Sequence, residues 1–64
     1  MTPDIHIIVR RGSLYATVHP NNQPAKDWLR QKGVGFMFGM LYMHDLIAAI
    51  DRAGLQLRLT ELTS

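Results

Sequence analysis

Two alternating apolar runs flank Gly12, and they force an amphipathic hairpin on the start of this chain. Successive side chains of a strand point to opposite faces, so in the first run Ile5, Ile7 and Val9 share one side and His6, Ile8 and Arg10 the other. In the second, Leu14, Ala16 and Val18 alternate with Tyr15, Thr17 and His19. Gly12 supplies the positive φ that tight hairpin turns need. A two-residue turn at Arg11-Gly12 pairs Val9 with Leu14, Ile7 with Ala16 and Ile5 with Val18. A turn at Gly12-Ser13 slides those pairs and keeps the same faces together. A lone two-stranded hairpin is marginal in water, so its apolar side needs a cover.

The rest of the chain supplies one. Pro20 and Pro24 bracket Asn21, Asn22 and Gln23, residues suited to a turn. A helix is predicted over residues 24–32: proline suits its first position, Asp27 its positive end, and Arg30 and Lys32 its negative end. Ala25, Trp28 and Leu29 make its apolar stripe, and Gly33 fits the position that ends it. Residues 34–42 read as a strand with Val34, Phe36, Phe38, Met40 and Tyr42 on one face and Gly35, Met37, Gly39 and Leu41 on the other. As helix, the same stretch carries two glycines, each at a cost of about 1 kcal/mol relative to alanine. A second helix over 45–53 buries Leu46, Ile47, Ile50 and Ala53 and ends at Gly54. Residues 55–62 form the last strand, with Leu55, Leu57 and Leu59 inward and Gln56, Arg58 and Thr60 outward. The class is α+β: ββαβαβ, a hairpin and two helices on one face of a four-stranded sheet, with ββααβ as the alternative. Any strand–helix–strand unit with parallel strands should cross over right-handed.

Length sets the energetic frame. A chain of 64 residues is read as one domain, 1–64, and a domain that small hides only about 60% of the surface its unfolded chain exposes. It has no cysteine, so neither disulfides nor cysteine-based zinc sites staple it. Self-association is the remaining aid, and a homodimer is the expectation. The absence of cysteine also fits a reducing cytoplasm. The start, Met1-Thr2-Pro3-Asp4, lacks the basic region of a secretory signal, and His44 and Asp45 interrupt the most apolar stretch, so no membrane span is expected.

The residues suited to chemistry do not form a recognisable set. His6, His19 and His44 lie in separate elements without metal-ligand spacing, although His6 and His19 share one end of the hairpin and Asp4 is the carboxylate near them. Ser13 and Ser64 have no evident base. His44-Asp45 reads as helix-end electrostatics. The glycines at 33, 35 and 39 lack the Gly-Lys-Ser/Thr ending of a phosphate loop. Catalytic residues, metal and cofactor are accordingly assigned as none, and the chain is not expected to be an enzyme. Met37, Met40 and Met43, with Phe36, Phe38 and Tyr42, read mainly as core with part of the cluster left for an interface.

Two helices on one sheet face leave the other open, and that face should show His6, Ile8, Arg10, Tyr15, Thr17, Gln56, Arg58 and Thr60. Tyrosine and arginine are the side chains that most often carry interface energy, so Arg10, Arg11, Tyr15 and Arg58 are the candidate binding residues. The expectation is a small cytoplasmic binding protein that regulates or inhibits a protein partner through a sheet edge or the open sheet face, and an edge strand can also pair two copies. Weak nucleic-acid binding is the alternative: net charge is +2 and the pI is near 9.5, but the seven lysines and arginines are scattered. An accessory subunit of an enzyme is the third reading. Ala25, Trp28-Leu29, the apolar middle and Arg52-Ala53-Gly54-Leu55 resemble short accessory proteins carried by bacterial mobile elements; the resemblance covers under half the chain and assigns no residue a role.

Overall fold

The computed structural model describes residues 2–62. Strands β1 (Ile5–Arg10) and β2 (Tyr15–Pro20) form the hairpin, and helix α1 (Gln23–Gln31) follows. Then come β3 (Met37–Gly39), a 3-10 turn (Met40–Tyr42), α2 (Met43–Arg52) and β4 (Leu57–Leu62). The order is ββαβαβ, and the strands lie side by side as β3-β2-β1-β4. β2 runs antiparallel to both its neighbours, while β1 and β4 are parallel. The segment through α1 therefore joins antiparallel strands, and only the one through α2 links parallel ones.

The hairpin takes the slid register: Ile5 faces Pro20, Ile7 faces Val18 and Val9 faces Ala16. Gly12, at φ 82°, occupies the third position of a turn closed by the Ser13 N–H donating to the Arg10 carbonyl at 3.0 Å. Leu14 falls outside the ladder and is exposed, contrary to its expected inward position. It lies between the turn and the start of β2.

Both helices stop by the same device. In α1 the Gly33 N–H reaches the Arg30 carbonyl and Val34 reaches Leu29; in α2, Gly54 reaches Asp51 and Leu55 reaches Ile50. These are the paired bonds of a Schellman closure, which needs a positive φ after the cap; Gly33 and Gly54 have 75° and 77°. The residue after each glycine, Val34 or Leu55, turns back onto the core. At the other end of α1, Asn22 Oδ1 accepts from the Ala25 N–H at 2.9 Å. That cap starts the helix one residue before the predicted proline position and leaves Asp27 beyond the first turn, where Gln23 Nε2 donates to it.

The core forms where the helices meet one sheet face. Ile5, Ile7, Ala16, Val18 and Phe38 from the strands bury Ala25 and Leu29 of α1 and Met43, Leu46 and Ile50 of α2. Burying one aliphatic side chain of this size is worth about 1.5–3 kcal/mol, so this cluster dominates the stability of so short a chain. Several expectations fail at its edges. The third strand is only three residues long: the chain coils into the 3-10 turn after Gly39, and Phe36, whose carbonyl still accepts from the Val18 N–H at 2.8 Å, is 73% exposed. The 3-10 turn brings α2 in early and buries Met43, while Ala53, past the helix end, is exposed. Leu59 lies on the helix side of β4, beside Ile7, yet is 53% exposed. The helices do not reach that edge.

Candidate functional site

The face away from the helices is built by register. Across β2, β1 and β4, His19 lies beside His6 and His6 beside Arg58. In the next row Met37, Thr17, Ile8 and Thr60 follow one another across all four strands. One step further Arg10 lies beside Leu62, and Tyr15 beside Gly39. Alternation in β1, β2 and β4 thus delivers polar ends and an apolar centre. The centre is a shallow depression lined by Ile8, Tyr15, Thr17, Met37 and Leu62, with Arg10 and Ser13 at its rim. Tyr15 is 55% and Met37 51% exposed.

Charge is distributed unequally between the two sides. Among the described residues no carboxylate holds a strand position on the open face: Glu61 lies beside Val9 on the helix side, and Asp27, Asp45 and Asp51 ride on the helices. Arg10 and Arg58 are therefore unneutralised by their own sheet face. The two histidines are tied down by threonines. His6 Nε2 shares a 2.7 Å hydrogen bond with Thr60 Oγ1, and His19 Nε2 one of 3.1 Å with Thr17 Oγ1.

Asp4, the carboxylate nearest the histidines in sequence, is engaged elsewhere. Its Oδ2 accepts from the Gln56 backbone N–H at 2.8 Å and its Oδ1 from Asn22 Nδ2 at 2.7 Å. The Gln56 bond first, and the Asn22 bond second, hold its carboxyl below the ordinary 3.8. Its carbonyl accepts from the Asn21 N–H as well, so Asp4 ties together the starts of β1, α1 and β4. Among the described residues no three histidine or carboxylate side chains converge as a metal site would require. Ser13 Oγ accepts from the Tyr15 N–H in the hairpin turn, and Ser64 lies outside the described residues.

Of the four candidate binding residues, Arg10 and Tyr15 border one depression, and Arg58 stands on the same face one strand over, next to His6. Arg11 sits apart in the turn, its N–H donating to the Leu62 carbonyl at 2.9 Å. The reading of residues missed Met37 and Leu62 as members of the face. Met37 was legible, since it alternates with a core phenylalanine. Tyr15 also borders a second apolar depression with Leu14, Met40 and Leu41, the last fully exposed. The methionines divide: Met43 is core, Met40 packs against it, and Met37 is on the open face.

No protein-family model, curated protein or solved structure matches this chain. No helix among the described residues is long and apolar enough to cross a membrane. Fold and surface together define a class: a small mixed-sheet α+β protein with one helix-covered face and one open face free of strand carboxylates.

Proposed function

We propose that this chain is a cytoplasmic binding protein that regulates or inhibits a partner protein by docking it on the open sheet face. The observation that carries this reading is the arrangement of that face: an apolar centre of half-buried Ile8 with exposed Tyr15, Met37 and Leu62, beside Arg10 and Arg58, with no strand carboxylate among the described residues. Aromatic residues, methionine and arginine are the types enriched at protein interfaces. The partner suited to it presents an apolar patch rimmed by aspartate or glutamate, since charge complementarity sets register and steers encounter. The threonine-anchored histidines give the face fixed donors and acceptors at its far end.

Weak binding of single-stranded nucleic acid is the second reading, favoured by the same lack of carboxylates and by Tyr15 as a stacking platform. Its support is thinner: one aromatic is available where sheets that read RNA use two or three. The test is affinity capture from the native host with the parent and with the triple variant Arg10→Ala, Tyr15→Ala, Arg58→Ala. All three are solvent-facing, so the variant should keep the parent's circular dichroism. The expected result is a specific protein retained by the parent and lost by the folded variant. Equal capture by both refutes the face. Enrichment of nucleic acid, with affinity falling steeply in salt, selects the second reading.

A further inference from the structure

The long free edge of the sheet carries a register written into its own sequence. β4 ends the sheet, and its bonds to β1 use the even-numbered residues: the Gln56 carbonyl accepts from the Ile5 N–H at 3.0 Å, and the Leu62 carbonyl from the Arg11 N–H at 2.9 Å. A strand directs alternate backbone groups to opposite edges, so Leu57, Leu59 and Glu61 offer their N–H and carbonyl groups outward. Two of the usual protections are missing, since its six residues include no proline and no helix covers Leu59; its charged residues are Arg58 and Glu61. The opposite edge, β3, is only three residues long.

We propose that two copies of this chain pair through β4, antiparallel about a two-fold axis at Leu59, to form one eight-stranded sheet. A two-fold normal to the sheet must set residues of one face against the same face, so the axis falls on a single residue position. Centred on Arg58 it opposes two arginines, and centred on Glu61 two glutamates; like charges directly opposite are destabilising. Centred on Thr60 it joins Leu59 to Glu61 of the second copy and makes four backbone bonds among the described residues. Centred on Leu59 it joins Leu57 to Glu61, Leu59 to Leu59 and Glu61 to Leu57. Every outward group of the described strand is then used, in six bonds. Arg58 faces a threonine and the two exposed leucines meet on the helix side.

The pairing leaves both open faces free and aligned, so its failure is distinguishable from failure of partner docking. It also answers the weakness of a core built from so few residues. Because the chain has no cysteine, single thiols test the register directly. Paired residues of this kind have Cα atoms about 5.5 Å apart, within disulfide reach. Position 61 would lie roughly 14 Å from its mate, four residues away along the strand. The expected results are a sedimentation mass about twice the 7.3 kDa chain and rapid oxidative crosslinking of Leu59→Cys. Thr60→Cys and Glu61→Cys should crosslink at least ten-fold more slowly. Leu59→Arg should give a folded monomer by circular dichroism. A parent that stays monomeric up to about 1 mM, the weak end of specific affinity, overturns the proposal. So does crosslinking at 60 or 61 as fast as at 59.

Discussion

Two phenylalanines one residue apart in alternation make the sharpest test of the fold. Phe36 and Phe38 occupy the same face of the predicted strand, yet Phe38 is 7% and Phe36 73% exposed. Phe38 lies beside Ala16 in the sheet and meets Tyr42 edge-on, with ring centroids 6.3 Å apart and planes at 76°. Truncating a buried phenylalanine to alanine costs about 3–5 kcal/mol; an edge strand relaxes more than a central one, so about 3 is expected here. A chain of this length has a total stability of roughly 3–10 kcal/mol, so Phe38→Ala removes about a third of it at the upper end and nearly all of it at the lower. Phe38→Leu, at about 1.5 kcal/mol, keeps the measurement on scale. With 4–8 °C lost per kcal/mol in so small a domain, its Tm should fall by about 6–12 °C. Phe36→Leu and Phe36→Ala should each stay within about 0.5 kcal/mol of the parent. Thermal and urea melts at matched protein concentration read all four. Equal costs at the two sites, or a larger one at 36, would mean that Phe36 packs as Phe38 does and that its exposed placement is wrong.

Three further outcomes follow from particular contacts. Asn22→Ala removes the cap on the Ala25 N–H and should cost about 1 kcal/mol, a fall in Tm of several degrees, whereas Asn22→Asp should retain most of it. Asp4 has a lowered carboxyl pKa, so its contribution is present above the unfolded-state value and is lost as pH falls below 3.8 through the folded-state value. Asp4→Asn should therefore melt below the parent at neutral pH, and the gap should close on acidification; a gap unchanged by pH contradicts the assignment. Gly54→Ala should destabilise by about 1 kcal/mol through its positive φ of 77° alone, since a Cβ there meets nothing within 4 Å.

Much of the architecture was legible because the hairpin and both helices satisfy local rules without outside help. The alternation on each side of Gly12, the glycines at 33 and 54 and the apolar stripes of α1 and α2 each point to one element, and the sheet face that buries Ile5, Ile7 and Val18 follows. The errors share a cause. Leu14, Phe36, Ala53 and Leu59 are all apolar residues placed inward by periodicity, and all are exposed because each lies where its element or its cover ends. Periodicity names a face; only tertiary packing says how far its cover extends. The middle segment was hardest, since its strand pairs through only three residues before Met40 starts a helical turn, and no short-range signal marks that switch. On the open face, Arg10, Tyr15 and Arg58 could be placed from alternation alone. The joining of Met37 and Leu62 to them depends on which strands are neighbours, and the sequence does not contain strand order in any local form.

The most direct measurement is a thiol footprint of both sheet faces, free and with the captured partner. In separate single-cysteine variants, Ile8→Cys and Met37→Cys sample the open face, Leu59→Cys the free edge and Ala48→Cys the exposed side of α2. Alkylation of the free protein should be measurable at 8, 37 and 48, and slow at 59 in the paired form proposed above. Partner binding should slow labelling at 8 and 37 at least ten-fold and leave 48 unchanged. Protection at 48 with none at 8 and 37 would place the partner on the helices and contradict docking on the open face.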